Sequence, residues 1–79
     1  MIEILINESD WKSIQKIKRL AEIIDKLKNS GWERFGHNGT IVLFKDTSKD
    51  RARNELIQLG INEIEAEEWE EDLYSNNIF

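Results

Sequence analysis

Apolar and polar residues alternate at the start of the chain. Ile2, Ile4 and Ile6 fall on one face and Glu3 and Leu5 on the other, which predicts a strand with one buried face. From Ser9 to Asn29 the period changes. Ile14, Ile17, Leu20, Ala21, Ile24 and Leu27 recur every three or four residues, the spacing of one helical face. Lys12, Gln15, Arg19, Glu22 and Lys26 fall opposite them. The pattern predicts a helix over 9–29, about 31 Å long at 1.5 Å per residue. Asn7 or Ser9 is placed to cap it, and Glu8 and Asp10 suit its positive end. Lys26 and Lys28 suit the negative end, and Gly31 can take the left-handed conformation that stops a helix. Trp11 sits at the edge of the apolar stripe, where it would meet the sheet.

Two short β-prone stretches follow, Trp32 to Phe35 and Thr40 to Lys45, on either side of Gly36-His37-Asn38-Gly39. Asn-Gly tolerates the positive φ of a type I′ turn, so the pair reads as a hairpin. Ile41-Val42-Leu43-Phe44 is apolar on both faces, as a central strand would be. Thr47 and Asp50 have the spacing of a capping box. Ala52, Leu56 and Leu59 form the stripe of a second helix, which Gly60 ends. Residues 61–66 read as a last strand, and Glu67 to Tyr74, with Trp69 and Leu73 four apart, as a short third helix. The order is β-α-β-β-α-β with a C-terminal appendage. It predicts an α+β, ferredoxin-like fold: a four-stranded antiparallel sheet with both helices on one face. The 79 residues make one domain.

Charge changes this picture at one end only. The net charge of −5 is unevenly spread: residues 1–60 hold all 11 Lys and Arg against nine acids, whereas 61–79 hold seven acids and no base. A chain with that balance is not expected to grip nucleic acid through phosphates, which needs clustered Lys and Arg. A basic, nucleic-acid-binding protein fits it better as a partner. Cysteine and proline are absent, which excludes disulfides and thiolate metal sites and suits a reducing cytoplasm. The longest wholly apolar run, Ile41 to Phe44, is far short of the roughly 20 residues that span a membrane. The N-terminus, with Glu3 among its isoleucines and no basic start, does not read as a signal peptide.

No catalytic motif stands out. His37 is the only histidine and reads as an exposed turn residue, since a general base needs an orienting partner and a pocket. Gly-x-Ser-x-Gly and the glycine-rich phosphate loops are absent. The acidic run lacks the loop spacing and glycine of a Ca²⁺ site. The chain is therefore expected to be non-enzymatic, with no cofactor and no metal. The candidate partner-binding residues are Glu63, Glu65, Glu67, Glu68, Trp69, Glu70, Glu71, Asp72 and Tyr74, acids interleaved with aromatics. Carboxylates there can stand in for phosphates and aromatics for bases or anchors. The same segment, with Leu73, Ile78 and Phe79, could instead dock onto the sheet face away from the helices. Leu5, Phe35 or Trp32, Ile41 and Leu43 are expected on that face, and a homodimer through it is a further option.

Gly31-Trp32-Glu33, Arg34, Gly39-Thr40 and Phe44 resemble the Gly-Trp…Arg…Gly-Ser-His…Phe stretch of HicA-type RNase toxins over about fifteen residues. Ile41 stands where that family has its catalytic histidine, so the family's RNase activity is not carried over, and an altered nuclease that depends on His37 is a third option. The element order is similar to that of ACT-type regulatory domains. By size, charge and lack of Cys and Pro, the chain resembles short acidic inhibitors carried by phages and plasmids, anti-CRISPR proteins among them. That last resemblance implies an inhibitor that occludes a basic partner, such as a defence nuclease complex. The alternative is a dimeric regulatory module that binds a small ligand between helices and sheet.

Overall fold

The computed structural model describes residues 1–68, with the backbone alone at His37. Strand β1 (Ile2–Asn7) leads through a 3-10 turn (Glu8–Trp11) to helix α1 (Ile14–Asn29). Strands β2 (Glu33–His37) and β3 (Thr40–Lys45) form a hairpin, followed by helix α2 (Lys49–Gln58) and strand β4 (Glu67–Glu68). All pairings are antiparallel, and the strand order is β2-β3-β1-β4. The described residues thus form a small α+β domain with a four-stranded antiparallel sheet and two α-helices. No helix among the described residues is long and apolar enough to cross a membrane.

The helix expected over 9–29 is split. Asn7 accepts the Ser9 N–H through its side chain, at 3.1 Å, and caps the 3-10 turn rather than α1. Ser13 is the true N-cap, its Oγ accepting the Lys16 N–H at 3.2 Å. The buried line of α1 is Leu20, Ile23 and Leu27. Ile23, absent from the expected stripe, is fully buried, whereas Ile14 and Ile17 are 75% and 54% exposed. The apolar stripe is wider than the sheet beneath it, and the docked face is set by the sheet rather than by the stripe's centre.

Both helices end alike. The Trp32 N–H donates to Leu27 C=O at 3.0 Å and the Gly31 N–H to Lys28 C=O at 3.2 Å, with Gly31 at φ +93°. The Ile61 N–H donates to Leu56 C=O and the Gly60 N–H to Ile57 C=O, with Gly60 at φ +72°. These are Schellman closures, and the apolar pairs Trp32/Leu27 and Ile61/Leu56, all buried, lock them. Helix α2 is capped by Ser48, whose Oγ accepts the Arg51 N–H at 3.3 Å, and not by the Thr47–Asp50 pair.

The hairpin loop is two residues long, with Asn38 at φ +44° and Gly39 at φ +82°. His37 is therefore the last residue of β2 rather than part of the turn. Residues 61–66 are not a strand; Ile61 and Ala66 plug the core from irregular backbone, and pairing with β1 begins only at Glu67. The third helix expected from Glu67 starts instead as β4, and the rest of that segment lies outside the described residues. One core holds everything together. Ile2, Ile4 and Ile6 of β1 and Ile41 and Leu43 of β3 meet Leu20, Ile23 and Leu27 of α1 and Ala52 and Leu56 of α2. Both helices thus cover the same face of the sheet.

Candidate protein-interaction surface

Strand register decides what the other face carries. Residues directly opposite in an antiparallel pair share a face. Leu5, Val42 and Phe35 form one row across β1, β3 and β2. Glu67, Glu3, Phe44 and Glu33 form the next, across all four strands. Leu5 is 56% and Phe35 58% exposed, and Val42 and Phe44 are half-buried. This open face is an apolar centre beside a row of acids. Of the strand residues on it with described side chains, every charged one is a glutamate: Glu3, Glu33 and Glu67.

Its membership corrects the expectation from sequence. Ile41 and Leu43 point to the helices and are buried, and Trp32 is buried in the core. Val42 and Phe44 take their places on the open face. The alternation is strict, so Ile41 and Val42 cannot both face one side. Nothing in that apolar run says which of them faces the helices.

The described acids of the C-terminal segment do not form a single patch. Glu63 is held against α1: Arg19 donates to both its carboxylate oxygens through Nε and Nη2, and Arg19 Nη2 also reaches Gly60 C=O at 2.7 Å. The hydrogen bonds from Arg19 hold the Glu63 carboxyl down to about 2, against the usual 4.5, and the same contact raises Arg19. Glu63 is thus part of the fold's fastening. Glu67 lies on the open face, 3.7 Å from Lys49 Nζ, while Glu68 pairs with Ile2 and shares the helix-side face. Glu65 is exposed. Trp69, Glu70, Glu71, Asp72 and Tyr74 lie outside the described residues.

Glu3 and Glu33 are the acids that sequence reasoning missed. The alternation around Glu3 was a usable signal, since it places Glu3 opposite Ile2, Ile4 and Ile6. Only pairing shows that Glu3 stands directly across from Glu67. Two like charges opposite one another in a sheet repel by some tenths of a kcal/mol. Lys49 offsets part of this at β4, and a bound cationic group would offset the rest.

A second polar cluster serves the fold. Glu55 of α2 accepts from Trp32 Nε1 at 2.6 Å and from Lys45 Nζ at 3.0 Å, and Lys45 also reaches Ser30 C=O at 2.7 Å. It ties α2 to the turn that ends α1 and to β3. The concavities are open grooves along α1. One of 860 Å³ lies between the 3-10 turn and the hairpin, and one of 340 Å³ lies between α1 and β2. Between the helices and the sheet, Ile4, Ile23, Leu27 and Leu43 are fully buried. Comparison with protein-family models, with curated proteins and with solved structures gives no match.

Proposed function

We propose that this protein is a non-enzymatic binding protein that blocks a basic, nucleic-acid-binding partner with an acidic surface. The observation that carries the reading is the open sheet face, where the charged strand residues with described side chains, Glu3, Glu33 and Glu67, border Leu5, Val42, Phe35 and Phe44, with Lys49 of α2 at the rim 3.7 Å from Glu67. Exposed apolar groups rimmed by one sign of charge suit a partner segment that is basic and partly apolar. A groove that binds nucleic acid has that character, because it carries Lys and Arg for phosphates and flat apolar groups for bases. The seven acids after residue 60, with no base among them, add to the net negative charge of the chain. Such a blocker acts by occlusion, as a short inhibitor of a defence nuclease complex would, in the cytoplasm.

The scaffold we propose for this surface is ferredoxin-like. Read from the β4 edge, the strand order is 4-1-3-2, and each helix links two strands that flank a third. That arrangement supports the split β-α-β reading.

The test is a binding comparison. The immobilised full chain and a Glu3→Lys, Glu33→Lys, Glu67→Lys variant are exposed to the heparin-binding fraction of a cell lysate. The native chain is expected to retain a protein that salt releases and that single-stranded nucleic acid displaces. The variant is expected to associate at least tenfold more slowly, since steering by charge acts on the on-rate. Retention indifferent to salt and to the three reversals overturns the reading. So does a retained partner that still binds nucleic acid while holding this chain.

A further inference from the structure

A different surface, along the β2 edge, shows what this chain can do with itself. We propose that two copies associate edge to edge, β2 pairing antiparallel with β2 of the second copy about a two-fold axis at Phe35, with the flanks of the two α1 helices packed over the join.

Strand β2 is the edge of the sheet. A two-residue loop closes the hairpin on a hydrogen-bonded pair, here His37 and Thr40. Backbone groups alternate in direction along a strand, so Arg34 and Gly36 turn their N–H and C=O away from β3. Pairing centred on Phe35 sets Arg34 opposite Gly36 of the copy, and the reverse, so that both outward-facing residues are used in each chain.

Side chains fit the same register. On the helix side β2 offers only Arg34 and Gly36, with no apolar group to cover the flank of α1. Ile17 and Ala21 are consequently exposed and Ile24 half-buried, and with Arg34 they line the 340 Å³ groove. A Cβ at Gly36 would meet nothing within 4 Å, which leaves room there for Arg34 of the copy. Three strand residues beyond Trp32 rise about 10 Å, the length of six or seven helical residues. The axis at Phe35 therefore crosses α1 close to Ala21 and Ile24, where a small residue lets two helices approach.

Charge selects the second copy. An antiparallel crossing there brings Lys18 of each α1 opposite Asp25 of the other. Among the described residues neither is in an ion pair. The open sheet face, in contrast, would set Glu3, Glu33 and Glu67 against themselves in a two-fold dimer, so it rejects a second copy. Edge pairing does not use that face and continues it across both chains. The inference therefore stands apart from the proposed inhibitor role.

Sedimentation equilibrium of the full chain is expected to give twice the 9.4 kDa protomer mass at micromolar concentration. Ala21→Glu, at an exposed helical position, is expected to give the single mass with an unchanged circular dichroism spectrum. Lys18→Asp or Asp25→Lys alone should weaken association about tenfold, roughly what the two surface pairs of the symmetric dimer, lost and reversed together, do. Both together should restore it. A wild-type chain monomeric at 1 mM overturns the proposal, as does a dimer that Leu5→Lys dissociates and Ala21→Glu does not. Should Ala21→Glu fail to fold, the charge swap decides: a double variant no tighter than the singles sinks the edge geometry.

Discussion

At the scale of single residues, burial is decided by position around the helix, and Ile14 and Ile23, nine residues apart, lie on opposite sides of α1. Ile14 and Ile23 have the same side chain and lie in the same helix. Ile14 is 75% exposed and Ile23 fully buried. Removing three carbons from Ile23 leaves a hole between α1 and the sheet, so Ile23→Ala is expected to cost about 3 kcal/mol. Ile14→Ala should stay within about 0.5 kcal/mol, because water already contacts that side chain. Urea unfolding of the two variants side by side checks both, and equal costs would show that α1 docks through the centre of its apolar stripe instead. The stripe was legible from spacing. Its docked edge was not, because Ile17, Ile24 and Ile23 lie within one arc and only contact with β1 and β3 chooses among them.

At the scale of elements, the caps were harder to read than the elements. Both helices, the hairpin and its Asn38-Gly39 turn follow from period and turn chemistry. The N-caps do not, since Asn7, Ser9 and Ser13 compete before α1, as Thr47 and Ser48 do before α2. The structure uses Asn7 for a 3-10 turn and Ser13 for α1. Ser13→Ala is therefore expected to destabilise the fold by about 1 kcal/mol, the usual loss of an N-cap. Ser9→Ala should change it by less than about 0.5 kcal/mol, and thermal unfolding distinguishes the two. The segment 61–66 misleads because Ile61, Ile64 and Ala66 suggest a strand, while the Schellman closure at Gly60 and the Arg19–Glu63 pair bend the backbone away from β1.

At the scale of the whole molecule, Arg19 and Glu63 join α1 to the connection between α2 and β4, across 44 residues of sequence. Glu63 titrates near 2 in the folded protein and at an ordinary carboxylate value when unfolded. The unfolded chain takes up the proton first, so the pair's contribution is complete above about pH 4.5 and is lost as pH falls toward 2. Glu63→Gln should lower the melting temperature by a few degrees at pH 6, and the difference should shrink as pH falls below about 4.5 and close only below about pH 2. A difference that persists in acid would show that Glu63 acts through packing rather than charge. The open face belongs to this scale too. The acidic run after residue 60 was visible in the sequence, but its partition was not: Glu63 to the core's rim, Glu67 to the open face beside Glu3, and Glu68 to the opposite side.

The sequence by itself determined the first strand, the two helices and the β2–β3 hairpin, because hydrophobic period and glycine's access to positive φ act within a few residues. It also determined the α+β class and the excess of acid. Tertiary structure alone decided which face of α1 is buried, which of Ile41 and Val42 looks outward, and that Glu3, Glu33 and Glu67 share a row with Phe44. Those outcomes depend on strand register. Register is a relation between segments up to 66 residues apart, as between Ile2 and its partner Glu68, and a shift of one residue would turn every side chain to the other side.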